Sequence, residues 1–224
     1  MRELIKTSFP LVWGRLKRVR QRLLNLRSPK SVFSEIYHSN SWDDKESRSG
    51  PGSNLENTRV VREFLPVFLK QKQAKSLLDL PCGDLYWMKN VDIEDVEYFG
   101  ADIVPEIIEL NRNAFAHTNR KFLVLDIAKD ALPAVDVILV RDCFIHLPNK
   151  MILEALRNIR HSPIQYLITT TYSEVSENID IELGGFRHLN LQKPPFNLPK
   201  PEQMHREVEG SGKSLGIWKV SDLP

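Results

Sequence analysis

Three aspartates stand at the ends of short apolar runs: Asp79 after Ser76-Leu77-Leu78, Asp102 after Tyr98-Phe99-Gly100-Ala101, and Asp126 after Phe122-Leu123-Val124-Leu125. Asp79 opens at once into a tight turn, Leu80-Pro81-Cys82-Gly83-Asp84. An apolar run that ends this way is how a buried parallel strand delivers backbone to a ligand at its carboxyl end. A carboxylate at such a strand end can accept from both hydroxyls of a cis-diol, which is the role expected of Asp102. A fourth run, Val135–Val140, opens into Arg141-Asp142-Cys143-Phe144-Ile145-His146. A neutral imidazole can remove a proton from an alcohol at physiological pH, so His146 is the candidate general base. Asp142, four residues earlier, is its candidate orienter if the turn is helical. Arg141 either binds an acidic substrate group or pairs with Asp142.

The turn after Asp79 discriminates between adenosine cofactors. A dinucleotide fold needs G-x-G-x-x-G there, so that a helix start faces the pyrophosphate. Here only Gly83 is kept, and Pro81 removes an N–H where a phosphate cradle would want one. Asp79 and Asp84 add negative charge, which resists a pyrophosphate and suits an aminoacyl sulfonium. The turn therefore favours S-adenosylmethionine over a nicotinamide dinucleotide.

Asp79-Leu-Pro-Cys-Gly83-Asp84 resembles the first motif of class I methyltransferases in a degenerate D-x-x-C-G form, and Gly100-Ala101-Asp102 is similar to the second. The usual first and third glycines of that motif are here Pro81 and Leu85. Ser49-Gly-Pro-Gly-Ser53, Arg141-Asp-Cys143, His146-Leu147 and Asn190-Leu191 with Pro194-Pro-Phe196 extend the likeness over most of residues 33–220. They resemble a bacterial subgroup often associated with polysaccharide or surface-glycan synthesis. The resemblance implies that Asp79, Pro81, Gly83 and Asp84 surround the methionine end of the cofactor. It likewise implies Asp102 with Ile103 at the ribose, Asp126 with Ile127 at the adenine, and Ser49–Ser53 closing over the site. It implies a sugar hydroxyl of a glycan or glycan precursor as acceptor. Alternatives are another small molecule or lipid intermediate, or a non-catalytic cofactor-binding partner of a biosynthetic assembly.

The Asn/Asp-Pro-Pro-aromatic tetrad that holds a planar nitrogen is absent after the fourth run, which disfavours nitrogen methylation of bases. Thr169-Thr170-Thr171-Tyr172 ends a fifth run on the same side. Asn178, Asp180, Arg187, His188 and Asn190 form a polar set suited to a hydroxyl-rich acceptor. For a metal, Asp126 and Asp142 offer oxygen but no tight cluster, so none is expected. Cys82 and Cys143, the only cysteines, have no metal spacing and are expected as free thiols.

Positioning these groups takes strands at 76–80, 97–102, 121–126, 134–140 and 165–172, alternating with helical or loop segments. Helical patterns fall at Val32–His38, from Asn57 or Thr58 to Lys70, near Pro105–Phe115, and at Asn149–Ile159. Alternation of this kind predicts an α/β fold: a Rossmann-like class I methyltransferase sheet, mostly parallel, with helices on both faces. After Tyr172 the chain turns Pro-, Gly- and polar-rich, with one last strand at Leu215–Val220 and a late strand that lacks regular form. Residues 1–30 form a basic amphipathic leader, an N-terminal helical extension, and residues 31–224 the methyltransferase domain.

The leader carries nine Lys or Arg against Glu3 alone, whereas the remainder holds 22 basic and 28 acidic side chains. The leader reads either as a helix packed on the domain or as a surface anchor on anionic membrane. The acidic body argues against a nucleic-acid partner. With no secretory signal and no apolar span, the expected place is the cytoplasm, with peripheral contact at the inner membrane surface through residues 1–30.

Overall fold

The computed structural model describes residues 27–208 and 210–224. The leader up to residue 26 therefore lies outside the described residues. The centre is a seven-stranded sheet: β1 (Ser76–Asp79), β2 (Glu97–Asp102), β3 (Arg120–Val124), β4 (Val137–Val140), β5 (Tyr166–Tyr172), β6 (Gln203–Arg206) and β7 (Lys213–Lys219). Their order is β3-β2-β1-β4-β5-β7-β6. The first five pair in parallel, and β7 runs antiparallel to both of its neighbours. The chain direction across the sheet reverses between β1 and β4, which is where an open parallel sheet leaves a crevice at its carboxyl edge.

Alternation along the strands feeds two cores. Leu77, Val137, Leu139, Ile168 and Ile217 face α2 (Arg59–Gln71) through Val61, Leu65 and Phe68, and α3 (Pro105–Phe115) through Ile108. Leu78, Ile138, Val140, Leu167 and Trp218 face α4 (Asn149–Arg160) through Ile152, Ala155 and Ile159. Helices thus cover both faces, and each fully buried aliphatic side chain stabilises the fold by about 2 kcal/mol. The helix starts follow from local chemistry. Pro105 supplies a fixed φ at the first turn of α3, and the Asp180 carboxylate accepts from the Asn149 N–H at 2.8 Å where α4 begins.

α1 (Pro29–Ser39) begins at Ser28, whose Oγ accepts from the Ser31 N–H, and ends at Asn40 in the left-handed region with φ 47°. Its Phe33 and Tyr37 pack on Ile103, Val104 and Ile107 just beyond β2. The helix thereby crosses the carboxyl edge of the sheet and roofs the crevice.

Two features depart from the expected pattern. β1 is followed by no full helix, only a three-residue turn at Met88–Asn90. The late strand is regular: β6 pairs with β7 from Gln203 to Arg206. It escapes sequence reading because an edge strand alternates half-buried and exposed residues and needs no apolar run.

Candidate active site

The crevice is a cavity of about 560 Å³ bounded by the ends of β1, β2 and β4, the turns after them, and α1. Asp79, Pro81, Gly83, Asp102, Ile103, Asp126, Ile127, Arg141, Asp142 and His146 all line it. Of the residues expected at the cofactor or as the base and its partners, Asp84 does not line it, and neither do Asn178, Asp180, Arg187, His188 and Asn190 of the expected acceptor set.

At the β1 end, Gly83 has φ +55°, and a Cβ there would sit 2.2 Å from Ser49 Oγ, so this position requires glycine. The Gly83 N–H donates to Asp102 Oδ2 at 3.2 Å, and the Val104 N–H donates to Asp102 Oδ1 at 2.9 Å. Burial raises the Asp102 pKa to about 6, with these backbone donors holding it lower than burial alone would. The Gly83 carbonyl is fixed from behind by Asn111 Nδ2 of α3 at 2.7 Å. Tyr98 donates its hydroxyl to Asp79 Oδ2 at 2.8 Å, while Asp79 Oδ1 is buried without a partner. Burial pushes the Asp79 pKa up to about 7, against the pull of the Tyr98 bond and Arg141. A buried carboxylate oxygen with no donor is the natural place for a cationic ligand group.

Asp84 has a different task from the one expected. Its carboxylate accepts from Ser47 Oγ and the Arg48 N–H, each at 2.9 Å, and so clasps the Ser49–Ser53 loop against the β1 turn. Asp126 does two things. It lines the cavity, and its Oδ1 accepts from the Ala128 N–H at 3.0 Å to close a local turn. The wall beside it is apolar, built from Ile103, Leu125, Ile127, Leu147 and Met151.

At the β4 end, Arg141 does not offer its guanidinium to a ligand. Its Nε donates to Glu207 at 2.7 Å, Nη1 to the Gly52 carbonyl at 2.7 Å and Nη2 to the Asn57 carbonyl at 3.1 Å. Nη1 also lies 3.2 Å from Asp142, which is the pairing alternative. Asp142 sits in the left-handed region with φ 51° and is held there from several sides. Thr170 Oγ1 accepts from its N–H at 2.9 Å, and Lys213 Nζ donates to Oδ2 at 2.6 Å. Burial would raise its pKa, but Arg141 and Lys213 outweigh it and bring it to about 2. Arg141, Asp142, Glu207 and Lys213 form one buried network with two charges of each sign. Glu207 and Lys213 carried no signal in the sequence.

Asp142 is therefore not what orients His146. The imidazole Nδ1 lies 2.8 Å from the Gly185 carbonyl. A carbonyl only accepts, so Nδ1 carries the proton and Nε2 keeps its lone pair. Burial lowers the His146 pKa, against the opposing influence of the Gly185 bond and of Asp142, which favours the neutral base at physiological pH.

The late polar set is mostly consumed in holding loops. Asn190 Nδ2 donates to the Ser173 and Val175 carbonyls, and Asn178 Nδ2 to those of Asn190 and Pro194. Arg187 donates to the Leu147 carbonyl and Asn149 Oδ1, and Asp180 caps α4. His188 is exposed and stacks on Tyr172 at 4.2 Å. Sequence reading missed Trp42 and Phe186, which line the cavity with centroids 5.1 and 5.9 Å from the His146 ring. Both cysteines are free thiols and line the cavity. Among the described residues no cluster of three or more His, Cys, Asp or Glu could hold a metal ion, and no helix is long and apolar enough to cross a membrane.

The arrangement also separates the two adenosine cofactors. A dinucleotide site sets its pyrophosphate on the helix that follows β1. Here that place is taken by the Asp84 clasp and a three-residue turn.

No protein-family model matches the chain, and no curated protein matches it in sequence. Solved structures do match in fold. Human N-acetylserotonin methyltransferase in complex with SAM aligns with a TM-score of 0.61 at 13% identity, over 96% of this chain and 68% of that one. PigF with SAH aligns at 0.55 and 16%, over 97% and 72%. PH0226 protein from Pyrococcus horikoshii OT3 aligns at 0.55 and 18%, over 75% and 93%. The seven-stranded, mostly parallel sheet with helices is the fold these proteins share with this one.

Proposed function

We propose that this protein is an S-adenosylmethionine-dependent methyltransferase acting on an oxygen acceptor, a sugar hydroxyl of a glycan or glycan precursor. The observation that carries the reading is that three strand-end carboxylates and a histidine with an open Nε2 line one cavity. The residues present fit the cofactor. The partnerless Asp79 Oδ1 is available to its ammonium, Asp102 retains lone pairs for a ribose diol, and Asp126 with the apolar wall suits a purine. The names of two fold neighbours, one in complex with SAM and one with SAH, support the same cofactor. The glycan acceptor is supported by the likeness of the motifs alone.

When bound, the cofactor supplies an electrophilic methyl group on a cationic sulfur. The protein supplies alignment and a proton acceptor. His146 Nε2 takes the proton of the acceptor hydroxyl as its oxygen is alkylated, and the Gly185 carbonyl keeps the ring in the required tautomer. The anionic Asp142 nearby favours the imidazolium that results. Gly83 and the Ser49–Ser53 loop close the methionine end against water.

The test is isothermal titration with S-adenosylhomocysteine, comparing the native protein with Asp102→Ala. The expected result is saturable binding that weakens about 100-fold or more in the variant, the loss of two or more charge-assisted hydrogen bonds. A folded native protein that binds no S-adenosylhomocysteine sinks the proposal.

A further inference from the structure

Four rings neighbour one another around the base. Trp42 lies against the His146 ring with planes 32° apart, and Phe186 lies against it at 48°. His188 meets Phe186 edge-on at 5.6 Å and stacks on Tyr172. Phe186 is 60% exposed, so it forgoes much of the stabilisation that burying such a ring would give. Yet it does not sit on a loose loop tip. The Gly184 N–H donates to the His146 carbonyl at 2.9 Å, and the Arg187 N–H to the Ile145 carbonyl at 3.2 Å. The Arg187 guanidinium adds its bonds to Leu147 and Asn149. Backbone bonds on both sides of Phe186 thus hold an exposed ring at a defined place beside the base.

We propose that Trp42 and Phe186 form an acceptor ledge that takes one face of a pyranose ring and presents a ring hydroxyl to His146 Nε2, with His188, edge-on to Phe186, at its outer rim. This rests on the methyltransferase reading above and names what recognises its acceptor. Phe186 presents an exposed ring surface beside the base. A pyranose has one face of C–H groups polarised by the adjoining oxygens, and these lie against the negative face of an aromatic ring. Its hydroxyls point outward from the edge, toward polar groups such as Ser41 and Ser53, which line the same cavity. The exposure of Phe186 and His188 leaves room for the rest of an oligosaccharide outside the cavity.

The experiment is a printed oligosaccharide array probed with the full chain saturated with S-adenosylhomocysteine, with 2-naphthol titrated separately as the flat aromatic competitor. The expected result is retention on at least one oligosaccharide. Phe186→Ala, Phe186→Leu and His188→Ala should each weaken it tenfold or more, while Phe186→Tyr keeps it within threefold. All four variants should bind S-adenosylhomocysteine as the native protein does. Phe186→Leu separates a need for a π face from a need for apolar area. Four outcomes overturn the ledge: no oligosaccharide retained by protein that binds S-adenosylhomocysteine, retention indifferent to Phe186→Ala, full retention by Phe186→Leu, or Phe186-dependent binding of 2-naphthol alone. Sugar retention that depends on Phe186, in protein that binds no S-adenosylhomocysteine, would uphold the ledge and overturn the cofactor reading instead.

Discussion

The two ends of the cavity are assembled by different means. At one end Asp79 and Asp102 close adjacent strands and Asp126 follows two residues past β3, so the register of β1, β2 and β3, with the turn at Asp126, sets their mutual positions. At the other end His146, Trp42 and Phe186 come from segments more than 35 residues apart. Arg187 and the Gly185 carbonyl tie the Phe186 loop to the His146 segment, Asn178 and Asn190 brace the loops beside it, and Trp42 lies against the His146 ring. A sheet-built wall inherits the stiffness of the core. A stapled wall can be changed one loop at a time without touching the sheet, as suits the end to which the proposed function assigns the acceptor.

The contrast can be broken most sharply at the base. His146→Ala should lower kcat by about 10²- to 10⁴-fold while leaving the affinity for S-adenosylhomocysteine unchanged. A parallel loss of cofactor affinity would mean the two ends are not separable. At the strand end, Gly83→Ala forces a Cβ into the left-handed region and against Ser49. It should weaken S-adenosylhomocysteine by roughly 10- to 100-fold, read by titration calorimetry, with the fold retained.

Asn190→Ala probes the staples. It removes donors to two carbonyls and the acceptor for the Gln192 N–H, and should cost about 2 kcal/mol of stability in chemical denaturation. Added acceptor should lose affinity in this variant well before S-adenosylhomocysteine does.

The smallest effect is one of pH. Asp79 ionises at about 7 and Asp102 at about 6 in the unliganded protein, against 3.8 for an ordinary aspartate. A cationic ligand group needs Asp79 ionised, so affinity should fall by up to about tenfold per unit below pH 7. Stability runs the other way. Between pH 3.8 and 7 folded Asp79 and Asp102 hold protons that they have lost in the unfolded chain, so these two groups withdraw stability as pH rises through that window, while His146 and His205, lowered by burial, act with the opposite sign near pH 6.5. Melting curves from pH 5 to 8, with and without S-adenosylhomocysteine, test both signs. A Tm–pH profile left unchanged by Asp79→Asn would contradict the raised pKa of Asp79.

How legible each end was follows from how it is made. Apolar runs ending in Asp79, Asp102 and Asp126 declare a strand, its end and a carboxylate within a few residues, and the structure places all three at the cavity. The helices near 105–115 and 149–160 were equally plain from their spacing. Asp84 shares the motif with Asp79, and nothing local distinguishes an acid that lines the cavity from one that clasps a loop. Arg141 lies beside Asp142 in sequence, yet its partners Gly52, Asn57 and Glu207 are distant, so its structural commitment was invisible. Trp42 and Phe186 each look like an isolated aromatic until the fold sets them against His146. Tertiary staples have no periodicity, and sequence reading finds periodicity.

The buried network of Arg141, Asp142, Glu207 and Lys213 has a consequence for the order in which the protein comes into being. The strand ends that carry Asp79 and Asp102 leave the ribosome well before Lys213, the group that donates to Asp142 Oδ2 at 2.6 Å. Until β7 is inserted between β5 and β6, Asp142 lacks its second cation and Arg141 its Glu207 partner. The five strands from β3 to β5 can form early in synthesis, but the Asp142 end of the cavity waits for the last strand. Nascent chains halted before residue 213 would carry the wall of Asp79 and Asp102 and an unset Asp142, and the complete network would arrive with the final hairpin.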